Sequence, residues 1–127
     1  MKLHLTKGDE DTYQIQHYDR QSIMINDQVY SHSLIVMPRY LTNWEIERFD
    51  ELTFEHFKRL RALNPELVLL GTGSQLRFPA TELLMPLMTE GIGVEVMDIY
   101  AACRTYMILM AEGRAVAAAL LIEPFTD

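Results

Sequence analysis

The stretch Ala115 to Ile122 holds no polar side chain, and a strand is apolar on both faces only where both faces are covered. Leu67-Val68-Leu69-Leu70, running into Gly71, has the same character. Ile92 to Met97 supplies a third strand between them. Two helical patterns join the three. Leu83, Leu84, Leu87 and Met88 mark a helix ending near Gly91, and Pro86 limits it to a short or kinked one, because an interior proline costs ~3 kcal/mol. Asp98 is placed to cap a longer helix over Ile99 to Glu112, which Gly113 stops. The order strand, helix, strand, helix, strand predicts parallel strands with right-handed crossovers.

The first half reads differently. Leu3-His4-Leu5 is a short strand before a polar turn at Lys7-Gly8-Asp9. Thr12 to Tyr18 alternates, with Tyr13, Ile15 and His17 expected on one side. Ser22 to Ile25 is a further strand, with Asn26-Asp27 as its turn. Ser33 to Met37 forms another and stops at Pro38. These predict antiparallel pairs. A loop carrying Trp44 and Phe49 follows, and then a helix that Thr53 is expected to cap through its hydroxyl. Phe54, Phe57, Leu60 and Leu63 form its apolar row, and Asn64-Pro65 ends it. The whole is an α/β domain: antiparallel N-terminal strands and a C-terminal parallel unit. No linker or repeat divides residues 1–127, so one domain is expected.

Charge excludes some functions. The chain carries 11 Lys and Arg against 18 Asp and Glu, a net charge of −7. The densest basic run, Lys58, Arg59 and Arg61, sits among Glu51, Glu55 and Glu66. A phosphate-tracking surface needs a basic surplus, so nucleic acid is not expected as a partner. The longest apolar run falls far short of the ~20 residues that span a bilayer, so no membrane insertion is expected. Cys103 is the only cysteine and permits no internal disulfide. The acidic N-terminal stretch is unlike a signal peptide, and a cytoplasmic location is expected.

Chemistry-bearing residues are few. Gly71-Thr72-Gly73-Ser74 lies at the carboxyl end of a buried strand, where open α/β sheets bind ligands. Its backbone N–H groups and the Thr72 and Ser74 hydroxyls offer a cradle for an anion. It lacks the lysine of a Walker loop, and Leu76 replaces the third glycine of a dinucleotide fingerprint. A tight turn needing positive φ is the simpler account of it. Arg104 falls on the C-terminal helix outside the polar arc of Asp98, Ala101, Thr105 and Glu112. A guanidinium among apolar neighbours needs an anion, either an internal carboxylate (Glu82, Glu95 or Glu123) or a ligand. The candidate ligand or anion-binding residues are therefore Thr72, Gly73, Ser74, Arg77 and Arg104. Cys103 reads as a small core residue. His4, His17, His32 and His56 lack metal-ligand spacing, so neither a metal nor a cofactor is expected, and no catalytic constellation emerges.

Five segments together carry a resemblance. They are Leu69 to Ser74, Arg77-Phe78-Pro79, Gly91 to Glu95, Ala101 to Tyr106, and Glu112-Gly113-Arg114. In this order they resemble the widespread Mth-type domain of unknown function. That family includes the mitochondrial complex I assembly factor three and the adipogenesis-associated Mth domain-containing protein. The resemblance implies an α/β domain of three layers, with protein contacts and assembly as the work of its eukaryotic members. Bacterial members often show Asn after the Arg-Thr-Tyr triplet where this chain has Met107, which counts against a polar site there. The front end, with no transit segment, fits a bacterial cytoplasmic member. Two readings stay open: a non-catalytic protein-binding or assembly protein, and a small-molecule (anion) binding protein or enzyme with a pocket at Gly71–Ser74. A homodimer is compatible with either.

Overall fold

The computed structural model describes residues 11–124; the strand expected at Leu3–Leu5 and the turn at Lys7–Asp9 lie outside them. Among the described residues eight strands form two sheets. In chain order they are β1 (Ile15–Tyr18), β2 (Ile23–Ile25), β3 (Gln28–Tyr30), β4 (Leu34–Met37), β5 (Tyr40–Asn43), β6 (Leu67–Gly71), β7 (Gly93–Met97) and β8 (Val116–Leu120). The helices are α1 (Phe54–Ala62), the single turn α2 (Met85–Met88) and α3 (Ile99–Ala111).

The expected parallel unit is present. β6 pairs in parallel with β7 on one side and with β8 on the other. The five-stranded order is β5-β4-β8-β6-β7, so β8 fills the centre and every one of its residues is buried. The N-terminal strands are antiparallel and divide between the sheets: β4 and β5 join the main sheet, with β4 antiparallel to β8, and β1-β2-β3 stand apart.

The layers follow from side-chain alternation. Even-numbered positions of β6 and odd-numbered positions of β8 (Val68, Leu70, Ala117, Ala119) meet Phe57, Leu60 and Leu87 on one face. On the other face Leu69, Ala118 and Leu120 meet Ile99, Ala102 and Tyr106 of α3, together with Ile15, Ile23 and Ile25 of the small sheet. Three layers result: α1 with α2, the five-stranded sheet, and α3 with the three-stranded sheet.

Local chemistry sets the element ends. Asn26 and Asp27 both adopt positive φ, 48° and 71°, the twist that a two-residue hairpin turn requires. Asp98 accepts the Ala101 N–H at 2.8 Å, and Gly113 stops α3 with φ 81°. Pro86 lies in the first turn of α2, where its missing N–H costs nothing. Thr53 occupies the N-cap of α1 in a capping box with His56, and the Thr53 N–H donates to His56 Nδ1 at 2.9 Å. Phe54, expected in the apolar row, is exposed, whereas Phe57 and Leu60 are buried. His17 is exposed as well, because the β1–β2 register slips between Ile15 and His17 and a slip of one residue exchanges faces.

Candidate functional site

The register Gly71↔Met97 and Gly71↔Leu120 brings the carboxyl ends of β6, β7 and β8 level. The loops leaving those strands therefore converge. Gly71 permits this by packing: a Cβ there would lie 3.0 Å from the Ala102 Cβ and from Leu120 Cδ2. Its φ is not positive, so the expected turn explanation holds only for Gly73, at φ 89°.

Thr72 is fully buried and organises the loop. Its hydroxyl is 2.7 Å from the Gln75 carbonyl and 3.2 Å from the Met97 carbonyl; its one proton serves the shorter contact. The same oxygen accepts the Arg77 N–H at 3.1 Å. Arg77 Nη2 donates to the Thr72 carbonyl at 2.7 Å and to Glu123 Oε1 at 2.8 Å. The second Glu123 oxygen accepts the Phe49 N–H at 2.8 Å, and the Arg77 guanidinium lies 4.8 Å from the Phe49 ring centroid. Both partners of the ion pair are about two-thirds or more shielded, with side chains 34% and 24% exposed.

Two of the candidate anion-binding groups, the Thr72 hydroxyl and the Arg77 guanidinium, are thus engaged internally. The Gly73 carbonyl accepts the Ile99 N–H at 2.8 Å, and Asp98 takes that of Ala101, so the start of α3 is already supplied with acceptors. Arg77 is neutralised by Glu123. A Cβ at Gly73 would come within 3.2 Å of Arg77 Nη2 and 3.3 Å of Glu123 Oε1, so the backbone passes directly beneath the pair. Ser74 is exposed at the loop tip. Among the described residues Arg77 Nε is buried without a partner.

Arg104 does not join the cluster. The buried arc of α3 is Ile99, Ala102, Cys103 and Tyr106. Arg104 lies about 200° round the helix from Ala102, on the side with the exposed Ile108 and Ala111. The expectation of a guanidinium needing a buried anion is thus corrected: Arg104 is solvated, and Glu123 belongs to Arg77. Sequence reasoning offered Glu123 to Arg104 and not to Arg77, and no motif links Phe49 to the loop. Cys103 is buried, and burial pushes its thiol up to about 12, which leaves it protonated and inert near neutrality. Among the described residues no helix is long and apolar enough to cross a membrane.

A different surface draws attention. Of the eight exposed large hydrophobic residues among those described, Leu76, Phe78, Met85 and Met88 fall in one short segment. That segment runs from the loop after β6 through α2 and precedes β7. Arg77, held by Thr72 and Glu123, anchors its beginning.

Comparisons with known proteins agree with this architecture. A Bordetella pertussis protein described as an Mth938-like domain has a structure of TM-score 0.82, at 30% identity, over 99% of this chain and 95% of that one. The human NADH dehydrogenase [ubiquinone] 1 alpha subcomplex assembly factor 3 is 30% identical over 112 residues, 87% of this chain and 61% of that protein. The chain thus spans about three-fifths of the assembly factor's length. A 13 kDa major membrane protein of Francisella tularensis is 27% identical over 106 residues, 82% of this chain and 86% of that one. Residues 15–121 match the protein family of unknown function described as DUF498/DUF598, and the chain belongs to that family.

Proposed function

We propose that this chain is a non-catalytic protein-binding or assembly protein. One observation carries the reading: Leu76, Phe78, Met85 and Met88 are exposed together on a segment whose base is pinned by Arg77. Exposed apolar side chains concentrated in one segment offer a contact surface where scattered ones do not, and methionines suit adaptable contacts. The relative named as an assembly factor supports it. The lone, buried Cys103 fits a reducing cytoplasm. The test is affinity capture from native lysate with Leu76→Ser/Phe78→Ser against wild type, using Val29→Ser as control because Val29 is exposed on the other sheet. A stoichiometric protein companion lost only in the double variant is the expected result. Equal recovery by all three folded proteins would overturn the reading.

The second reading is a small anion site formed by Thr72, Gly73, Ser74 and Arg77, with Arg104 no longer a contributor. Its single supporting observation is the unpartnered Arg77 Nε. That atom is buried, so an anion reaches it only if the groups around it move aside. Phosphate titration followed by the Arg77 side-chain resonances decides this: perturbation at millimolar phosphate supports the site, and silence removes it.

A further inference from the structure

Among the described residues β7 is an edge of the main sheet, paired there with β6 alone. The Gly93 N–H donates to the Glu66 carbonyl and the Met97 carbonyl accepts the Thr72 N–H, so odd-numbered residues of β7 turn their backbone towards β6. Val94 and Val96 therefore turn their N–H and C=O groups to the open side. Among the described residues no side chain bonds to these groups. The opposite edge differs: at β5 the Arg59 guanidinium donates to the Asn43 carbonyl at 3.2 Å. Beside β7 lies an open groove of about 540 Å³, lined by Leu84, Met88, Ile92 and Val94 among others.

Charge selects the occupant. Residues 78–103 contain Glu82, Glu90, Glu95 and Asp98 and no Lys, Arg or His. Glu82, Glu90 and Glu95 are exposed, and among the described residues none makes an ion pair. A second copy pairing antiparallel along the full strand would set Glu95 against Glu95 at a non-hydrogen-bonded position, the closest approach in such a ladder. Like charges placed there are destabilising, and a charge on an edge strand is a known guard against self-pairing.

Resting on the protein-binding reading above, we propose that β7 accepts an extended strand of a partner protein in which basic and apolar residues alternate. Val94 and Val96 supply the backbone bonds. The partner's basic side chains lie on the face of Glu95, and its apolar ones lie over Leu84 and Met88. This is strand addition to a sheet edge, with affinity from main-chain bonds and selectivity from alternate side chains.

The probe is an acetylated, amidated heptapeptide alternating Lys and Val, with the Glu/Val peptide as its counterpart. The Lys peptide is expected to slow hydrogen exchange at the Val94 and Val96 amides and to bind at least tenfold more tightly than the Glu peptide. Glu95→Lys, a solvent-facing change, is expected to invert that preference. Unchanged exchange at both valines, or a preference untouched by Glu95→Lys, overturns the proposal. Protection that instead rises with protein concentration, without peptide, overturns it in favour of a second copy. Loss of the lysate companion in Leu76→Ser/Phe78→Ser alongside a silent β7 would sink this inference alone; absence of any companion would sink the protein-binding reading itself.

Discussion

Arg77 Nη2 lies 2.8 Å from Glu123 Oε1, tying the loop after β6 to the chain leaving β8 across 46 residues of sequence. Because the same two side chains also hold the Thr72 carbonyl and the Phe49 N–H, removing either leaves polar groups without partners. Arg77→Ala and Glu123→Gln are each expected to cost about 1–3 kcal/mol. Urea denaturation checks this, and the double variant Arg77→Ala/Glu123→Gln should cost less than the sum of the two.

Gly71 and Gly73 are irreplaceable for different reasons, and substitution separates them. Gly73→Ala meets both a positive φ of 89° and the ion pair above it, and a loss of about 1–3 kcal/mol is expected. Gly71→Ala keeps an ordinary backbone but drives a methyl to 3.0 Å from Ala102 and Leu120. Its expected cost is similar, about 1–3 kcal/mol, and Ala102→Gly should recover part of it. No partial recovery is expected for Gly73→Ala in that background.

Tyr106 is buried against the small sheet and donates to the Tyr13 carbonyl at 2.8 Å. Tyr106→Phe should cost about 1 kcal/mol. Amide exchange should quicken in β1 and β2 before it does in β8, since the lost bond joins α3 to the start of β1.

Alkaline conditions should expose the buried thiol. Burial raises Cys103 from 9.0 to about 12, and it raises Tyr106 as well. Above pH 9 the unfolded chain releases the thiol proton while the folded one keeps it. Stability therefore falls as pH rises between 9 and about 12, by at most about 1.4 kcal/mol per pH unit for one proton. Cys103→Ala should flatten the decline between pH 9 and 10 in urea melts. Native protein at pH 8 should react with a thiol reagent only as fast as the region around α3 opens.

Sequence pattern was sufficient wherever one residue type has one physical use. Runs buried on both faces announced β6 and β8, Asp98 and Gly113 bounded α3, and Asn26-Asp27 made the hairpin. β5 was missed because Tyr40-Leu41-Thr42-Asn43 has one aliphatic residue and, among the described residues, pairs with β4 alone at the sheet margin. Arg104 was misplaced for a related reason. A helix apolar nearly all round has no sequence-visible inside, so its neighbours Ile108 and Ala111 could lie on either face, and they lie outside. Arg77 was singled out, yet its carboxylate partner comes from the far end of the chain, a pairing that only the strand order creates.

That strand order has a consequence for biosynthesis. β4 with β5, and β6 with β7, are the two flanks of the main sheet, and β8 is the strand that stands between them. A nascent chain that has emerged through residue 115 holds two separate ribbons, each with a bare apolar margin, and nothing to join them. Such margins invite association with other chains during translation. The Ala-rich β8 then closes both at once, so the time between emergence of β4 and emergence of β8 is the interval in which this protein most needs protection from its neighbours.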